Sequence, residues 1–296
     1  MNSPLFYHTR VLLKTLHRHS HLSDPPSCLP PPWRDQICVV VHPIDGGQIT
    51  LFLIAHPRAI LPRYLLFDLG LRSRLERYLP AQQAPLTNHV APYRLGRGVA
   101  QHLRDGGLDP DAVDTVILSH LHYDHHGDPG DFPQSRFIVR AGSLSLLHRG
   151  LEGTSVSHQA FDAELFRTVQ SSGAVPLGPL PAALDLLGDG YVYVVDAPGH
   201  LPGHLNLLCR LGLHGWIYLG GDSCRDVRLL NPERGIVTRE DKQSVCHCIH
   251  LDRTRVEYTL REASAREGAE LEVVMAHDVQ WWEKNLRFTW ELAEPT

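Results

Sequence analysis

No run of about eighteen consecutive apolar residues occurs anywhere in the 296-residue chain, which argues against a membrane-spanning helix. Positive charge is also short, with 28 Lys and Arg against 33 Asp and Glu and a formal net charge of -5. Proteins that grip nucleic-acid backbones normally carry a clustered excess of basic residues, so neither nucleic acid nor a membrane is expected as a partner. Cysteine is sparse. Six in a chain of this length (Cys28, Cys38, Cys209, Cys224, Cys246 and Cys248) are too few for a disulfide framework, and reduced thiols in a cytoplasmic protein are the expectation. The first 23 residues lack acidic side chains and carry Arg10, Lys14 and Arg18, as a weak organelle-targeting segment does. They lack the apolar block of a secretory signal, and they read as a cytosolic extension.

What is present describes an ordinary globular body. Hydrophobic residues make up 43% and charged residues 21%, enough for a sizeable buried core. The stretch Asp24 to Pro32 (DPPSCLPPP) is closed to helix and central strand, because proline lacks the amide donor and fixes φ. It divides an N-terminal extension, residues 1–35, from a single folded body, residues 36–296.

Short apolar or β-branched runs predict strands at Ile37 to Val41, Thr50 to Ala55 and Tyr64 to Leu69, with Asp45-Gly46-Gly47 as hairpin punctuation between the first two. Leu71 to Leu79 and Gly98 to Arg104 read as short helices, the second closed by Gly106-Gly107. Further strands are expected at Val113 to Ser119, Arg136 to Arg140, Tyr191 to Asp196, His204 to Arg210, Trp216 to Gly220 and Leu271 to Ala276. Helices are expected at Ser143 to Arg149 and Asp252 to Glu267, the latter with Asp252 as cap and Val256, Leu260 and Ala263 on one face.

The useful pattern is where these strands end. VILS runs into His120, YVYVVDA leads to His200, WIYLGG ends at Asp222, and EVVMA delivers His277. Loops at the ends of rigid buried strands can bring distant sequence positions to one rim. The densest segment is His120-Leu121-His122-Tyr123-Asp124-His125-His126. Imidazole suits zinc and other borderline ions, and carboxylate adds charge neutralisation and orients water. Adjacent residues of one loop cannot all face a single ion, so two metals sharing the loop is the economical arrangement. Taken alone, the segment also reads as a solvated surface loop rich in His and Asp. Together, His120, His122, Asp124, His125, His200, Asp222 and His277 form a set of seven candidate ligands.

Read in order, SHLHYDHHGD, APGHLPGHLNLL, GGDS and MAHD resemble the H-x-H-x-D-H … H … D … H signature of the metallo-β-lactamase superfamily. Phe52-Leu53-Ile54 followed by Leu66-Phe67-Asp68-Leu69-Gly70 resembles the strand pair and Asp-x-Gly turn that open that fold, so the likeness spans about Ile37 to Asp278. It implies an α/β fold, an αββα sandwich with the metals at one edge. It further implies that His120, His122 and His200 hold one metal, that Asp124, His125 and His277 hold a second, and that Asp222 bridges them. The cofactors would be two divalent ions, zinc by default for His and Asp ligands. Within the superfamily, the motifs are most similar to the N-acyl homoserine lactonase branch. That implies an enzyme acting on carboxylic esters: a hydroxide bridging the metals attacks a small-molecule lactone, and Asp124 and Asp222 serve catalysis. A thioester hydrolase of the hydroxyacylglutathione hydrolase type is the alternative, and a monomer or homodimer is expected.

One departure bears on substrate. Arg225 stands three residues after Asp222, where many lactonases of the branch have tyrosine; Arg can bind a carboxylate or an oxyanion but is no phenol donor. Tyr123 is the other candidate substrate contact, and it reads equally as a packing residue. Asp196 and His204 are candidates for orienting His200, since metal-bound histidines usually have a hydrogen-bonded partner. The cluster Cys246-His247-Cys248-Ile249-His250 is too crowded for ordinary zinc spacing.

Overall fold

The computed structural model describes residues 40–45, 50–56, 63–88, 95–143, 146, 166–169, 174–177, 180–211, 215–231, 234–236, 239–240, 246–247, 250–264 and 271–285. The extension at 1–35 lies outside them, as does most of the helix expected at Ser143 to Arg149.

Among the described residues, two six-stranded sheets carry the fold. The first contains β1 (Val40–Asp45), β2 (Thr50–His56), β3 (Arg63–Phe67), β4 (Val113–Ile117), β5 (Arg136–Arg140) and β6 (Phe166–Val169), in that spatial order. β1, β2 and β3 pair antiparallel, and β3 through β6 pair parallel. The β1–β2 register, with Asp45 opposite Thr50, is the hairpin that Asp45-Gly46-Gly47 predicts. The second sheet holds β7 (Val175–Leu177), β8 (Leu180–Asp185), β9 (Val192–Asp196), β10 (Leu205–Arg210), β11 (Trp216–Leu219) and β14 (Leu271–Val274), ordered β14-β11-β10-β9-β8-β7. Between β11 and β14 in sequence, β12 (Arg239–Glu240) and β13 (Cys246–His247) form a separate two-stranded ribbon.

The period-two alternation of side chains explains why both sheets are buried on both faces. In β2, Phe52 and Ile54 point into the layer between the sheets, and Leu51 and Leu53 point the other way. The outward layer packs on Val99, Ala100 and Leu103 of helix α2 (Val99–Asp105), which follows α1 (Pro80–Asn88). In the second sheet Val192, Val194, Leu205, Leu207, Ile217, Leu219 and Val274 meet the first sheet's inner face. Tyr193, Val195, Leu208, Tyr218 and Val273 face outward onto Val256, Leu260 and Ala263 of α3 (Arg253–Ser264). This is helix, sheet, sheet, helix: the αββα sandwich. The predicted cap holds as well, with Asp252 Oδ1 accepting from Arg255 N at 3.1 Å.

Strand direction places the site. β9 and β11 each run antiparallel to β10, so they point the same way, and β14 runs parallel to β11. Their C-terminal ends therefore share one rim. The C-terminal end of β4 joins it, because Leu205 N at the start of β10 donates to Ser119 O at 2.9 Å.

The helix expected over Leu71 to Leu79 is instead a single 3-10 turn at Leu75–Arg77. Tertiary contacts override its local pattern: Arg72 N donates to Tyr78 Oη at 2.6 Å, and the Arg72 guanidinium reaches Asp128 at 3.5 Å. Among the described residues no helix is long and apolar enough to cross a membrane.

Candidate metal centre

All seven candidate ligands converge on the shared rim. One donor atom from each of His120, His122, His200 and Asp222 lies within 4.8 Å of the others, and the same holds among Asp124, His125 and His277. Every one of them is buried except His122 and His277, which are half-buried. In the first group the ring nitrogens face one another: His120 Nε2 to His122 Nδ1 at 2.8 Å, His200 Nε2 to His122 Nδ1 at 3.0 Å, and His200 Nε2 to His120 Nε2 at 3.2 Å. Burial, reinforced by the neighbouring imidazoles, pushes His120 well below the usual histidine range, and burial does the same to His200. Neutral rings that turn lone pairs toward a common centre are a poor arrangement by themselves and a good one around a cation.

Asp222 stands between the groups. Its Oδ2 lies 3.4 Å from His200 Nε2, and its Oδ1 lies 3.2 Å from His125 Nε2 and 3.1 Å from His277 Nε2. Burial by itself raises its pKa, but the adjacent His125 and His277 outweigh that and hold it well below the usual carboxylate range. Burial likewise lowers His125, and Asp222 and Asp68 on either side outweigh it and raise it. Around Asp222 and His125 the centre therefore favours positive charge. Its donor set of imidazole nitrogens and carboxylate oxygens fits divalent cations of the zinc class.

Backbone geometry sets these side chains. Gly221 adopts φ +47, and a Cβ there would sit 2.9 Å from His204 Nε2 and 3.0 Å from Ser119 Cβ, so the turn that presents Asp222 requires glycine. His204 supports the same turn: its Nδ1 donates to Ala197 O at 3.0 Å and its Nε2 accepts from Asp222 N at 3.1 Å. Burial pushes His204 down to about 4.

The structure departs from two readings of the sequence, those that set His204 and Asp196 to orient His200. His204 touches the Asp222 backbone and orients that residue, where a role toward His200 was expected. Asp196 is committed to Arg140, whose Nη2 donates to its Oδ2 at 2.7 Å, so it does not orient His200 either. Tyr123 packs with Leu71, Tyr78 and Leu86, its ring centroid 6.5 Å from that of Tyr78. Arg225, by contrast, reaches the site, with Nη2 3.3 Å from Asp124 Oδ2 and Nε 4.0 Å from Asp222 Oδ2. Its side chain is 41% exposed, which puts the guanidinium at the mouth.

Two further groups border the centre. His126, the last histidine of the dense segment, turns away: its Nδ1 donates to Gly127 O at 2.9 Å, and burial pushes it down to about 3. Asp68, in the Asp-x-Gly turn, accepts from Ser119 N at 2.7 Å, Ser119 Oγ at 2.8 Å and His125 Nδ1 at 2.9 Å. The turn motif marked its position, but nothing in the sequence paired it with His125. Cys224 beside Asp222 is buried, and burial pushes its thiol up to about 12, which makes it a packing residue and not a nucleophile.

Comparison with known proteins places this geometry in context. A family model described as the metallo-beta-lactamase superfamily matches residues 63–212. The gamma-lactamase FDB1 of Fusarium pseudograminearum is 32% identical over 62% of this chain and 48% of its own. The N-acyl homoserine lactonase AttM of Azorhizobium caulinodans is 29% identical over 64% of this chain and 67% of its own. The chain spans 22% and 53% of the length of the first two curated relatives it matches. A crystal structure of a point mutant of B. thuringiensis AiiA, with N-decanoyl-L-homoserine bound at its active site, superposes with a TM-score of 0.58 at 14% identity. That match covers 84% of this chain and 94% of AiiA, a likeness of fold.

Proposed function

The chain belongs to the metallo-beta-lactamase superfamily, and from that premise we propose that it is a metal-dependent hydrolase that opens a small-molecule lactone. The observation that carries the reading is the placement of Asp222, whose two carboxylate oxygens face two separate donor groups. His120, His122 and His200 would hold one divalent cation, zinc by preference, and Asp124, His125 and His277 the other, with Asp222 shared. Such a pair, when bound, supplies Lewis acidity toward a carbonyl oxygen and a water that is nucleophilic at neutral pH.

The chain's own residues do the rest. Asp124, buried and 3.3 Å from Arg225 Nη2, would accept the proton released by the attacking water and deliver it to the departing ring oxygen. Arg225 offers a guanidinium at the mouth, where it binds the substrate's carbonyl or carboxylate oxygen. Lactone opening is supported by the likeness to AttM, an N-acyl homoserine lactonase. A second reading, opening of a cyclic amide, is favoured by the likeness to the gamma-lactamase FDB1.

The test is hydrolysis of a panel of acyl homoserine lactones, γ-lactones, γ-lactams and thioesters, each with and without a chelator. Lactone opening that is lost on chelation and restored by zinc is the expected result. Turnover of γ-lactams alone promotes the second reading, and thioester turnover alone promotes a hydroxyacylglutathione hydrolase type of activity. Hydrolysis indifferent to chelation contradicts a metal mechanism. In the same assays Arg225→Ala is expected to lower kcat/KM about 10–100-fold, since a hydrogen bond to a charged group contributes about 1.5–3 kcal/mol. Unchanged kinetics would remove Arg225 from the substrate site.

A further inference from the structure

We propose that His250 is a positioning residue that fixes the ring tautomer and orientation of His200, and through it the first group of donors. The inference rests on reading His200 as a metal ligand. His250 falls in the crowded Cys-His-Cys-Ile-His stretch, fifty residues from its partner in sequence, and the fold brings it directly beneath the site. Its Nδ1 lies 2.9 Å from His200 Nδ1, with the ring planes at 73°, and it is 4% exposed.

The contact is built and not incidental. The turn that carries His200 is docked on the segment that carries His250 by two backbone hydrogen bonds, Leu251 N to His200 O at 3.2 Å and Asp252 N to Gly199 O at 2.8 Å. Thr259 Oγ1 on α3 donates to Pro198 O at 3.2 Å. Gly199 adopts φ +123, and a Cβ there would lie 2.5 Å from Val256 N and 2.7 Å from Asp252 O, so only glycine allows α3 to approach this closely.

Proton placement follows from the geometry. His200 Nε2 points to the donor centre, 3.0 Å from His122 Nδ1 and 3.4 Å from Asp222 Oδ2. A ring that offers its Nε2 lone pair there must carry its proton on Nδ1. Two Nδ1 atoms at 2.9 Å share one proton, so His200 donates and His250 accepts, with the proton of His250 on its own Nε2. A ligand histidine generally gives its second nitrogen to an oxygen acceptor such as a carboxylate or carbonyl. Here that acceptor is a second imidazole.

The experiment uses the full-length chain and zinc alone as probe. Dissociation constants of both zinc equivalents are measured by competition with a chromophoric chelator for the wild type, His250→Leu and His250→Asn. The wild type should bind two. His250→Leu, which offers no acceptor, should weaken one equivalent about 10–100-fold and leave the other. His250→Asn, whose Oδ1 occupies the place of Nδ1, should recover most of that loss, a rescue that a purely packing role would not show. Nitrogen chemical shifts of the imidazoles in the metal-free wild type should report His200 protonated at Nδ1, and this readout stands even where the leucine variant does not fold. Zinc affinity in His250→Leu equal to the wild type, or His200 protonated at Nε2, overturns the proposal while leaving His200 as a ligand. A wild type that binds no zinc overturns the ligand reading itself, and His250 with it.

Discussion

Asp222→Ala is expected to lower kcat/KM for lactone opening by about a thousandfold or more and to reduce the number of zinc ions retained per chain. Asp222 faces both donor groups: its Oδ2 turns to His200, and its Oδ1 to His125 and His277. On the proposed reading, losing it would remove a donor from each group and the negative charge that would offset two dications. Stabilisation of transition-state charge by a bound cation is worth several kcal/mol, and each 1.36 kcal/mol is about tenfold in rate. Asp222→Asn keeps the shape and loses the charge, so it should fall between the wild type and the alanine variant. His277→Ala touches one group only and should cost less than Asp222→Ala. Steady-state kinetics with metal analysis on the same samples checks the order. An alanine variant with wild-type turnover would show that Asp222 is a structural carboxylate.

The second large effect is on stability. Asp68 is 1% exposed and accepts from Ser119 N, Ser119 Oγ and His125 Nδ1. Asp68→Ala leaves three donors in the interior without their acceptor, and each unsatisfied buried group costs about 1–3 kcal/mol. It also removes the carboxylate side of a buried charge pair, a change that costs about 3–5 kcal/mol. Because these sums overlap, the expected loss of unfolding free energy is about 3–5 kcal/mol, read from the denaturation midpoint at fixed m-value. His125 would lose the partner that sets its ring, so zinc affinity should fall in parallel. A loss of under about 1 kcal/mol would mean that water or a shifted neighbour replaces the carboxylate.

The sequence made the seven candidate ligands legible because their chemistry and their position at strand ends coincide. A β-branched run that stops at a histidine or aspartate carries both pieces of information locally, as in VDTVILS before His120 and LEVVMA before His277. The strands were legible as nearly continuous apolar runs, but the sandwich architecture came only from the resemblance of the motifs to a known family.

What escaped was decided by distant partners. β7 and β8 (VPL and LPAALD) have low strand propensity; β7 accepts its proline because it lies at the edge of the sheet, and β8 is held by β9 beside it. Leu71 to Leu79 has a helical pattern, but Arg72 and Tyr78 are drawn into contacts with each other, and Arg72 with Asp128. Proximity in sequence misled at Asp196, four residues before His200 yet bonded to Arg140, whereas the true neighbour of His200 is fifty residues away at His250. The partners of ligands are set by loop packing, and nothing local in the sequence encodes it.

On the proposed reading, one carboxylate, Asp222, joins two cation sites. Elemental analysis of the wild-type chain, saturated with zinc and then freed of loosely held ions by gel filtration, tests it most directly. About two zinc ions per chain are expected. One ion or none at saturation would contradict that reading.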